Sequence, residues 1–172
     1  MLQALALAVV LHLSNIAGAP AQLVATAQTE VARTYSAMGV PIVWRSHQAI
    51  TDARAIQVVL LPLETGGLRQ SKGSVMGAAV HTPEGTGVAY VYYRRVAQQA
   101  QQYDVPYAMV LASAIAHELG HLLLGSHEHA PAGLMRACWR REEFQRAAEG
   151  RLRFSAAELA AIRTRLDAFA DE

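Results

Sequence analysis

The stretch from Tyr107 to Leu124 constrains this chain more than any other. It holds no proline, and Ala, Leu, Met, Ile and Val dominate it, which predicts a long helix. Leu111, Ile115, Leu119 and Leu122 fall roughly on one face and anchor that helix through its back. On the other face stand His117 and His121, four residues apart, or about one helical turn. Their imidazoles leave the helix one above the other, where a pair can grip two corners of a tetrahedral zinc. Glu118 follows the first histidine, placed to hydrogen-bond a metal-activated water and take its proton.

A histidine pair framing a glutamate also arises by chance in helices, so the residues that follow carry weight. The full run is HELGHLLLGSHEH, from His117 to His129. Gly125 can end the helix in a left-handed conformation and turn the chain back, with His127 and His129 just beyond it. Gly133-Leu134-Met135 then sets a methionine eighteen residues after His117. The pattern resembles the metzincin metalloproteases, most closely the matrixin branch, where HExxHxxGxxH is followed by a methionine turn beneath the metal. The resemblance implies a Zn2+ cofactor, a peptide or protein substrate, Glu118 as general base, and Met135 as an apolar floor rather than a ligand. It covers most of the chain, though only Ala116 to Met135 is specific.

The sequence departs from that pattern at one place. The family glycine belongs at the position of Leu124, and Gly125 comes one residue late, shifting the helix exit by about 1.5 Å and 100°. His127 stands at the family's third-ligand position, ten residues after His117. The run also looks like small bacterial zinc proteins reading HELGHLLL, then SH, then GIM, whose third histidine matches His129. His129 is therefore the expected third ligand, with His127 as the alternative. Glu128, between them, is expected to be solvated. In a gluzincin-type site a glutamate from a following helix would complete the set, and Glu142 or Glu143 lies at about that distance. An ordinary charged helix surface is the preferred account of those two. A zinc-stabilised binding module of the same fold, without protease activity, is the rival from another class.

Composition bounds the rest. The length of 172 residues and an apolar fraction of 52% fit one domain over 1–172. Its upper part, 1–125, would carry the sheet and the zinc helix; its lower part, 126–172, the methionine turn and C-terminal helices. Fifteen basic and fourteen acidic residues leave a net charge of +1, against a nucleic-acid footprint. Arginines at 136, 140, 141, 146, 151 and 153 alternate with Glu142, Glu143 and Glu149, as on a solvated face. The lone cysteine, Cys138, excludes an internal disulfide and is not expected to bind metal. The apolar stretch Met1 to Leu13 is too short to span a bilayer and has no basic residue before it, so 8–15 reads as a first strand rather than a secretory signal. A secreted or periplasmic location follows from the resemblance alone, and a monomer is expected.

Taken in order, the chain predicts an α/β (α+β) fold: a twisted mixed sheet of four or five strands, a central metal-binding helix and a C-terminal helix. Pro20 opens a helix with Leu23, Ala27, Val31, Tyr35 and Met38 on one face, and Gly39 stops it. Strands follow at 40–45 and at 56–63, the latter, IQVVLLPL, apolar throughout and so central. Stretches 46–54 and 64–74 read as loops. Val75 to His81 and Val88 to Tyr93, around a turn rich in glycine, read as adjacent strands. In metzincins this region supplies an antiparallel edge strand above the cleft, to which an extended peptide can add. His81, at its end, reads as a surface histidine. Short helices are expected at 94–103 and 139–150, with Trp139 either packed or, with Arg136, lining the pocket for the residue after the scissile bond. Ser155 and Glu158 make a capping box for a last helix to about Phe169, buried through Leu159, Ile162 and Leu166.

Overall fold

Among the described residues, five strands and five helices form in the expected order. The computed structural model describes residues 8–45, 55–63, 75–82 and 87–170. The loops expected at 46–54 and 64–74, and the turn at 83–86, lie outside the described residues. Strand β1 (Val9–Asn15) leads into helix α1 (Ala21–Ser36) and back through parallel strand β2 (Ile42–Arg45). Gly39, at φ 76°, makes the turn between them in a conformation that side chains resist. Strand β3 (Ile56–Leu61) pairs parallel to β1, and strand β5 (Gly87–Tyr92) parallel to β3. Strand β4 (Gly77–His81) pairs antiparallel to β5 and is the outer strand of the order β2-β1-β3-β5-β4.

The central position of β3 follows from its composition. Ile56, Val58, Leu60 and Leu61 are all buried, as a strand flanked on both edges and covered on a face requires. It ends at Leu61 rather than 63 because Pro62 has no N–H for the ladder. Helix α2 (Tyr93–Tyr103) follows β5 directly, and helix α3 (Tyr107–Leu124) begins after Pro106. Helix α4 (Arg141–Ala148) starts two residues later than predicted, because Trp139 is held back by its indole N–H on the Leu134 carbonyl (3.2 Å). Helix α5 (Ala156–Ala170) opens on the capping box, Ser155 Oγ accepting the Glu158 N–H (3.2 Å) and Glu158 Oε2 the Ser155 N–H (2.6 Å).

Helix α3 is the axis of the fold. Every residue from Ala114 to Leu123 is buried, not only the apolar stripe expected from the sequence. Strands β4 and β5 lie along one side, α1 along another, and α2, α4 and α5 close the rest. Tyr35 of α1 is wholly buried and donates its hydroxyl to the Ala116 carbonyl (2.9 Å), pinning α1 to the turn that carries His117. Among the described residues α3 alone is long and apolar enough to cross a membrane, and this burial accounts for its composition.

Candidate metal centre

The helical spacing sets the first pair. His117 Nε2 and His121 Nε2 lie 3.2 Å apart, both rings buried. The two Nδ1 atoms are committed elsewhere: His117 Nδ1 donates to the Leu134 carbonyl (2.7 Å) and His121 Nδ1 to the Ser126 carbonyl (2.9 Å). A carbonyl only accepts, so each Nδ1 carries the proton and, in the neutral ring, each Nε2 presents a lone pair. Burial pushes the His117 imidazole down to about 4 and also lowers His121, so both rings are neutral near pH 7. Two lone pairs facing each other at 3.2 Å do not bond to one another. They are spaced to form one edge of a tetrahedron around a cation, an edge of about 3.4 Å at zinc–nitrogen bond lengths.

The segment after α3 supplies the third ring. Gly125 takes φ 66°, and the Ser126 N–H returns to the His121 carbonyl (3.3 Å), a Schellman closure that reverses the chain. His129 is thereby carried over the pair, its ring centroid 5.4 Å from His117 and 4.8 Å from His121. The ligand atoms of His117, His121 and His129 all lie within 4.8 Å of one another, and His129, being exposed, is free to close further. Burial and the neighbouring His127 lower its pKa, so it too is neutral at pH 7. His127 sits to one side, 6.1 Å from His121 ring to ring and 5.1 Å from His81. Glu128 is exposed, as expected.

A turn beneath the rings holds them. The Ala130 N–H donates to the Met135 carbonyl (2.9 Å), and Gly133 at φ 81° lets Leu134 turn its carbonyl to His117. Met135 is 1% exposed and packs under α3 at Gly120, where a Cβ would come within 2.5 Å of its Sδ. Glu118, between the ligands in sequence, is buried, and burial pushes its carboxyl up to about 8. It rests against the edge strand, because a Cβ on Gly77 would fall 2.6 Å from Glu118 Oε1. Sequence reasoning passed over Gly77, Gly120 and the Leu134 carbonyl. A glycine inside HELGH and one opening an edge strand were the available signals.

The alternatives fall elsewhere. Glu143 departs from the expected solvated surface: it is 2% exposed, with Oε2 accepting the Arg140 N–H (2.8 Å) and Oε1 paired with Arg136 (3.1 Å). Burial alone would raise its pKa, but these hydrogen bonds and the Arg136 charge outweigh that and hold it below the usual carboxylate range. Its carboxylate is thus engaged away from the histidines, and Glu142 pairs with Arg146 on the surface. A cleft of about 320 Å³ runs between β4 and the histidines, lined also by Glu118, Arg136, Cys138 and Trp139. Trp139 is both packed and cleft-lining, edge-on to His117 at 6.0 Å. His81 is the last residue of β4, on the side of that strand that faces α3 with Gly77 and Ala79.

The sequence matches no family model and no curated protein. Among solved structures the fold is similar to the crystal structure of metalloproteinase-II from Bacteroides fragilis, with a TM-score of 0.54 and 10% identity over 94% of this chain. The match takes in 54% of that protein, so this chain spans about half its length. At that identity the likeness is one of fold.

Proposed function

We propose that this chain is a zinc-dependent endopeptidase of the metzincin type, with His117, His121 and His129 as the ligands and Glu118 as the general base. The observation that carries it is the pair of facing Nε2 atoms at 3.2 Å with a third imidazole beside them. Three neutral imidazoles suit zinc, and no fourth ligand joins them among the described residues, which leaves a position for water or substrate. That open position favours an enzyme over a structural zinc site. When bound, zinc supplies Lewis acidity, polarising a carbonyl and acidifying a water.

The chain's own groups do the rest. Leu134 and Ser126 fix the tautomer and direction of the first two ligands through their carbonyls. Glu118 accepts the proton of the attacking water and returns it to the leaving amine. Its burial strengthens its hold on a proton, an affinity that a dication bound by the histidines would draw back toward neutrality. Strand β4 offers its outer backbone to an extended peptide, and Gly77 lets that strand come close to Glu118. Trp139 and Arg136 line the wall that receives the residue after the scissile bond. Met135 is the apolar floor.

A peptide-library cleavage assay, run with and without chelator on wild type and Glu118→Ala, tests this reading. The expected result is chelator-sensitive cleavage by wild type, and none by Glu118→Ala at unchanged zinc content. Cleavage by the variant at the wild-type rate would overturn the general-base assignment.

A further inference from the structure

His81 and His127 are not among the ligands of the site just described, yet their rings meet much as two of its ligand pairs do. Their centroids lie 5.1 Å apart at 85°, against 4.8 Å and 82° for His117 with His121, and 4.8 Å and 84° for His121 with His129. Non-local contacts bring them together. The last residue of β4 is set opposite Gly87, and a Cβ there would come within 2.5 Å of Leu122, so the strand end lies low on the last turns of α3. The Schellman turn at Gly125 then delivers His127 beside it.

A second observation points to a missing partner. His81 Nε2 is buried and, among the described residues, has no hydrogen-bond partner. A buried ring nitrogen left unpaired costs stability unless something binds it. His127 is exposed, so its ring is free to turn and admit an ion between the two.

We infer that His81 and His127 form a second metal site beside the three-histidine centre, completed by water. Two imidazoles, with no carboxylate beside them among the described residues, select a borderline divalent transition ion such as Zn2+, Cu2+ or Ni2+ over Ca2+ or Mg2+. Two protein ligands bind more weakly than three, so this site fills after the first. His127 lines the cleft, so an ion held there narrows it at that wall.

Equilibrium dialysis of the full chain, stripped by chelator and then returned to rising Zn2+, counts the sites by elemental analysis. The expected isotherm has two steps, one equivalent bound tightly and a second more weakly. His81→Asn should weaken the second step by at least about tenfold, since even an outer partner of a ligand matters on that scale, and leave the first intact. His127→Asn should do the same and carries the test if His81→Asn does not fold by circular dichroism. The double variant His117→Ala/His121→Ala should lose the first step and keep the second, so the peptidase reading and this one fail separately. Saturation of wild type at one equivalent overturns the proposal. So does a second step that survives His81→Asn and His127→Asn, or loss of the tight step in His81→Asn.

Discussion

Gly120→Ala adds one methyl group to the middle of α3, and the structure sets its cost. The helix alone would gain about 1 kcal/mol, since glycine is the poorer helix former. Against that, the new Cβ would lie 2.5 Å from Met135 Sδ and 2.8 Å from Phe154 Cε1. Met135 is 1% exposed and Phe154 8%, so neither can swing into solvent. Overpacking a core of this kind costs about 1–3 kcal/mol, leaving a net loss of up to about 2 kcal/mol. The displacement also reaches the site, because Met135 follows Leu134, whose carbonyl holds His117 Nδ1 at 2.7 Å. Disturbing such an outer partner costs about 10–100-fold in metal affinity. Urea melts of the metal-free protein give the first quantity, and competition with a chromophoric chelator the second. Adding Met135→Ala should relieve the clash, so that the double variant is less destabilised than the sum of the single ones. A Gly120→Ala protein stabilised by about 1 kcal/mol, with unchanged zinc affinity, would falsify this account of the turn beneath the metal.

Three further outcomes are expected. His129→Ala should lose more zinc affinity than the about 10–100-fold typical of an outer partner, while His127→Ala leaves the tight equivalent in place; elemental analysis that ranks them the other way would reassign the third ligand. Glu143→Gln should cost about 1.5–3 kcal/mol at neutral pH through its charge-assisted bonds to Arg136 and Arg140. Because the folded carboxyl titrates below its ordinary value of 4.5, that contribution is full above this value and disappears as pH falls through the folded one. Melts should therefore show the wild-type advantage shrinking on acidification; an advantage that grows instead would refute the assignment. Ser155→Ala should cost about 0.5–2 kcal/mol by removing the α5 cap and leave zinc affinity untouched, and a stability change near zero in thermal melts would show that the cap is idle.

What could be read from the sequence were the features written in short-range spacing. The four-residue interval of His117 and His121 places two rings on one helix face whatever surrounds it. Gly125 as a left-handed stop, the Ser155–Glu158 box and the apolar run of β3 depend equally on nearest neighbours and backbone sterics. The antiparallel placement of β4 was legible by family resemblance, since its segment alone is compatible with either direction.

Tertiary structure decided everything in which distant residues meet. Glu143 looked like one more charge on a helix surface until α4 folded its carboxylate onto Arg136. The third imidazole depended on how the Schellman turn aims two exposed histidines, a matter of backbone direction that spacing of one residue more or less does not resolve. The sequence signals at Gly77 and Gly120 gain their meaning only in the packed chain, because the role of each is the room it leaves for Glu118 and Met135. A local pattern specifies which face a side chain leaves by; only the packed chain specifies what it meets there.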